Sequence, residues 1–101
     1  MTTIEPDIVA TLHFVPTEKG GRKSPIVSPI FGCIFEHAGE ANDCGLLIGD
    51  KGDVWPGQKV TVPIFFLRPD LVRPRIKVGD SFELREDKTI AHGTIDEIAF
   101  A

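Results

Sequence analysis

Lys59-Val60-Thr61-Val62-Pro63-Ile64-Phe65-Phe66-Leu67 is the stretch that decides the fold class of this chain. Val60, Val62, Ile64 and Phe66 share one parity, so an extended backbone puts all four on a single apolar face. Phe65 and Leu67 fall on the opposite face. Pro63 has no N–H to give to a ladder, which puts this strand at a sheet edge there or gives it a bulge. Outward from this run, the same period of two recurs. Ile8, Ala10, Leu12 and Phe14 alternate with Val9, Thr11, His13 and Val15 until Pro16 ends the run. Ile30 to Phe35 is a second apolar run rich in β-formers. Cys44 to Ile48 is a short third one, flanked by Gly45 and Gly49.

Asp50-Lys51-Gly52-Asp53 and Trp55-Pro56-Gly57-Gln58 read as turns. Pro69 and Pro74 bracket an irregular link, after which Ser81 to Glu86 and Lys88 to Ala99 read as strands. Ile90 and Ile95 have opposite parity, which points to a bulge or bend at Gly93. No window carries a helical stripe. Five to seven short strands separated by frequent turns mean an all-β barrel or sandwich. At 101 residues the chain is one domain, 1–101, able to bury a single core.

Composition narrows the function classes. No apolar stretch approaches the roughly 20 residues that cross a bilayer as a helix. Met1-Thr2-Thr3-Ile4-Glu5-Pro6 has neither a basic residue nor an apolar segment, so a cytoplasmic location is expected. The net charge of −4 argues against a broad RNA-binding surface, which needs Lys and Arg to neutralise phosphates. Local clusters remain: Lys19, Arg22 and Lys23 in one loop, and Arg68, Arg73, Arg75 and Lys77 in another.

The first of those clusters belongs to a motif. Thr17-Glu18-Lys19-Gly20-Gly21-Arg22-Lys23-Ser24-Pro25 is followed by Pro29-Ile30-Phe31, by Pro56-Gly57, and by Pro69. Gly79-Asp80-Ser81-Phe82-Glu83-Leu84-Arg85-Glu86 and Thr89-Ile90-Ala91-His92-Gly93-Thr94-Ile95 then close the series. In order and spacing this resembles the third, C-terminal domain of the elongation factor Tu family, from about Ile8 to Ala99. The resemblance implies a six-stranded antiparallel closed β-barrel. It also implies contact with the T-stem of aminoacyl-tRNA or with protein partners of translation. Arg22 and Lys23 match the basic loop that approaches the tRNA backbone, Glu86 falls on the motif glutamate, and Lys88 stands near the arginine that follows it. The chain departs from the pattern at Ile30 and at Asp87, the latter adding negative charge where a phosphate would approach.

Catalytic constellations are sparse. Without a Gly-x-x-x-x-Gly-Lys-Ser/Thr loop, this chain alone is not expected to bind or hydrolyse GTP. Cys33, Cys44, His13, His37 and His92 are scattered, with no metal-ligand spacing, so neither metal nor cofactor is expected. The two cysteines are expected as free thiols. Cys33 and His37 lie four residues apart, about 13 Å along a strand, too far for a nucleophile–base pair. Cys44 with His37 and Asp43 is the easier arrangement and defines an enzyme alternative.

The expectation from sequence is a non-catalytic binding module. A protein partner, a translation factor among the candidates, would meet Trp55, Phe65 and Leu67, since Phe65 and Leu67 point out of a closed barrel and Trp is enriched at binding hot spots. Accessory binding of tRNA through Arg22, Lys23, Arg85, Glu86 and Lys88 is the alternative.

Overall fold

The computed structural model describes residues 4–49 and 52–100. Met1 to Thr3, on which the reading of the N-terminus partly rests, and the Asp50-Lys51 half of one expected turn lie outside the described residues. The chain is all-β, with strands β1 (Ile8–Phe14), β2 (Ile30–His37), β3 (Glu40–Leu47), β4 (Lys59–Phe66), β5 (Ser81–Arg85) and β6 (Thr89–Ile98). They close a six-stranded antiparallel barrel in the order β1-β4-β3-β2-β5-β6, with β6 returning to β1. The link between β4 and β5, expected to be irregular, holds a helical turn, α1 (Pro69–Val72), and a 3-10 turn at Arg73–Arg75. Proline at the first helical position suits such a start, and Val72 anchors the turn in the core.

Alternation builds the interior. Ile8, Ala10, Leu12 and Phe14 of β1 are buried, as are Val62, Ile64 and Phe66 of β4 and Phe82 and Leu84 of β5. The rings of Phe82 and Phe66 lie 4.6 and 4.8 Å from that of Phe35, forming the aromatic centre. At one end, Asp7 is buried and takes N–H bonds from Phe66 (2.7 Å) and from Arg73 Nη2 (2.6 Å), joining β1, β4 and the helical link.

Pro63 stands at a local edge of β4, as its missing N–H requires, and not in a bulge. Phe14 N–H donates to Gln58 O, which phases the β1–β4 ladder so that Val9–Pro63 is a pair without hydrogen bonds. The missing N–H therefore faces the β3 side, just past the end of the β3–β4 register at Leu46–Ile64. Two expectations change. Gly93 is not a bulge. The β5–β6 register shifts between Leu84 and Arg85, leaving Ile90 as the extra residue and explaining its parity; a second shift, against β1, leaves Asp96 out. Gly93 points inward, where a Cβ would collide with the Phe82 ring and Leu12. Finally, β3 begins at Glu40 rather than Cys44, because the β2–β3 hairpin turns tightly through Ala38 (φ 50°) and Gly39 (φ 82°).

Candidate binding surfaces

The basic loop and the β5–β6 turn do meet. Gly20 takes a left-handed φ of 95° after the 3-10 turn at Thr17–Lys19, and Gly21 lies where a Cβ would strike the Val15 carbonyl. This brings Arg22 to Glu86, with Nη1 on Oε1 at 2.5 Å, and its guanidinium lies 5.0 Å from the centre of the Phe31 ring. Arg22 is thus engaged by Glu86 and Phe31 at the surface rather than left free. Arg85 is engaged too, donating from Nη1 to Glu36 Oε2 at 2.7 Å. Its guanidinium is held above its ordinary range by that hydrogen bond and by the charge of the same carboxylate. Lys23 and Lys88 are exposed and form no ion pair among the described residues. Of the expected phosphate contacts, the two arginines are each neutralised by a glutamate.

The other expected surface is broader than two side chains. Cross-strand register aligns the outward residues of β2, β3 and β4 into rows: Ile30 beside Leu47; Gly32 beside Gly45 beside Phe65; Ile34 beside Asp43. Leu67 N–H donates to Asp43 O, placing Leu67 at the end of the last row, 58% exposed. The Phe65 ring lies flat over Gly45, which has no side chain to lift it. Phe65 and Leu67 were visible in the sequence by parity, whereas Ile30, Ile34 and Leu47 joined the patch only through register. Trp55 is 53% exposed, and its backbone N–H donates to Gln58 Oε1. It precedes β4 whereas Leu67 follows it, so the two stand at opposite ends of a strand roughly 25 Å long.

Opposite this patch the barrel is polar. Lys59, His13, His92 and Glu83 form one row across β4, β1, β6 and β5, and Thr61, Thr11, Thr94 and Ser81 form the next. Thr11 donates to Asp96, and the rows line a shallow groove of about 870 Å³.

The residues weighed for catalysis are separated. Asp43 is exposed on the outer side of β3, whereas Cys44 is in the core. His37 is turned to Asp80, Nε2 to Oδ2 at 2.9 Å, and stacks on Phe35, while its Nδ1 is buried with no hydrogen-bond partner among the described residues. The Cys44–His37–Asp43 arrangement is therefore not assembled. Cys33 and Cys44 instead stand directly opposite each other, Sγ to Sγ 3.7 Å.

No protein-family model matches this chain, and no curated protein matches it. Among the described residues, no helix is long and apolar enough to cross a membrane.

Proposed function

We propose that this barrel is a non-catalytic, cytoplasmic binding module that docks a protein partner through the outer face of β2, β3 and β4. The division of the outer wall carries this reading. One half presents hydroxyls, imidazoles and charges; the other presents Ile30, Ile34, Leu47, Phe65 and Leu67 around two glycines, with Ile30 and Leu67 well exposed. A contiguous apolar patch of this kind is uncommon on a solitary domain and marks an interface. The small Gly32 and Gly45 at its middle suit a partner with an apolar stripe, and Asp43, standing between Ile34 and Leu67 in the last row, favours a basic side chain within that stripe. The resemblance to the third domain of elongation factor Tu makes translation factors the first partners to examine.

Accessory binding of tRNA is the weaker reading, because Glu86 and Glu36 occupy the two arginines that would meet phosphates. The two readings separate on paired variants. Partners captured with the wild-type chain, once identified and reconstituted, should lose binding with Leu67→Asp and keep it with Arg22→Glu. Binding abolished by Arg22→Glu and falling steeply with salt would favour RNA instead. Sedimentation of the free chain is the necessary control: self-association abolished by Leu67→Asp would assign the face to a second copy and overturn the partner reading.

A further inference from the structure

The two cysteines occupy a position that free core thiols do not require. Cys33 on β2 and Cys44 on β3 are partners in register, and their side chains project to the same side of the hairpin. Directly opposed residues of an antiparallel pair have Cα atoms about 4.5–5.5 Å apart. That lies inside the range of about 4.4–6.8 Å spanned by disulfides. The sulfurs, at 3.7 Å, are in contact and unbonded. Closing them to a bond of about 2.05 Å needs side-chain rotation and little backbone movement.

Access is asymmetric. Cys44 is in the core, whereas Cys33 is only half-buried. Both residues border a cleft of about 300 Å³ whose walls include Gly32, Leu67 and Arg85. The cleft exists because β5 pairs with β2 only along Ile34 to Glu36, leaving the first half of β2 uncovered on that side. Glycine at position 32 keeps the opening beside Cys33 free of a side chain.

We propose that Cys33 and Cys44 form a reversible intramolecular disulfide, made by thiol–disulfide exchange with a low-molecular-weight disulfide. Cys33, as thiolate, attacks one sulfur of that disulfide. A Cys33 mixed disulfide forms, the reagent's S–S bond breaks, and its other half leaves as a thiolate that takes up a proton. Cys44 then gives its proton to water and attacks Cys33 Sγ, releasing the second half as a thiol. The two protein thiols are oxidised by two electrons and one reagent disulfide is reduced to two thiols. The order is built in. Cys33 is the accessible thiol, whereas the hydrogen bond with Cys33 and burial keep the Cys44 thiol well above its ordinary range. The bridge encloses the tip of the β2–β3 hairpin, and it holds whether or not the outer face of that hairpin docks a partner.

The test uses the reduced, folded chain in buffers of varied glutathione disulfide to glutathione ratio, followed by acid quench, alkylation and intact-mass measurement. The expected product is a monomer lighter by two hydrogens, carrying no alkyl group and no glutathione, and fully restored by dithiothreitol. Cys44→Ala should stop at a single glutathione adduct on Cys33, and Cys33→Ser should stay unmodified. Wild-type protein that accumulates glutathione adducts, links into dimers, or stays reduced where a reference dithiol is fully oxidised would overturn the proposal. Because the decisive species is wild type, a variant that folds poorly does not shield it.

Discussion

Asp80 draws together three segments that the sequence keeps far apart. Its Oδ2 lies 2.9 Å from His37 Nε2 on β2 and accepts the Lys77 N–H at 3.2 Å, while its carbonyl takes the Ile95 N–H from β6. Burial acts to raise the pKa of this carboxyl, yet the hydrogen bond from His37 and the Lys77 N–H outweigh it and hold the group below its ordinary range. A carboxylate whose folded pKa is depressed contributes stability above its unfolded pKa, about 3.9, and loses it as pH falls through the folded value. Asp80→Asn is therefore expected to be less stable than wild type at pH 5, with the gap shrinking as pH falls below about 4. Urea denaturation of both proteins from pH 5 to pH 2 reads this directly; a gap that stays constant to pH 2 would remove Asp80 from the account. His37 sharpens the effect, since its Nδ1 has no partner among the described residues and the substitution disturbs the polar contact that its Nε2 makes.

At the scale of elements, the β2–β3 hairpin carries local strain that sequence repairs easily. Ala38 holds a φ of 50° in the first position of the Ala38-Gly39 turn, a conformation that costs an L-residue with an ordinary Cβ. The right-handed twist of the strands demands it, and Asn-Gly is the preferred pair there. Ala38→Asn should raise stability by about 0.5–1 kcal/mol, seen as a higher denaturant midpoint at unchanged slope. A neutral or destabilising result would mean that the turn relaxes without help. The same hairpin explains where reading the sequence succeeded and stopped. β1 and β4 were legible because one parity is buried along their whole length. Glu40 to Asp43 were not, because this mostly polar stretch is extended by pairing with β2 and not by burial. The helical turn at Pro69–Val72 is shorter than any stripe that could announce it. The bulge at Ile90 was attributed to Gly93, since a glycine signals a bulge more readily than an isoleucine does. Phe65 and Leu67 were placed on the outside by counting parity. The Arg22–Glu86 pair, the opposed cysteines and the rest of the apolar patch depend on which strand lies beside which, and parity along one strand is silent on that.

Over the whole molecule, the barrel wall is uneven. β1 is paired along nearly its full length on both sides, from Ile8 to His13 with β4 and from Ile8 to Phe14 with β6. The β2–β3 hairpin is stitched to the rest by two short seams: Cys44–Leu46 against Ile64–Phe66, and Ile34–Glu36 against Glu83–Arg85. Arg22–Glu86 and Arg85–Glu36 stand beside the second seam, and exposed ion pairs add little to it. Local opening follows the fewest shared hydrogen bonds and the least buried contact, so the hairpin should open as a unit before the β1–β4–β6 wall does. Native-state hydrogen exchange should give seam amides of β2 and β3 opening free energies about 1–3 kcal/mol below those of β1. A single shared value across all six strands would show that the barrel opens only globally. The consequence reaches function, because the hairpin supplies two of the three strands of the proposed docking face. A partner seated across β2, β3 and β4 would span the seam between β3 and β4 and stabilise it by mass action, so its binding should slow exchange most at those amides. Slowing confined to the loop around Trp55, at the other end of β4, would locate the partner there instead and set the apolar rows aside as a surface without an occupant.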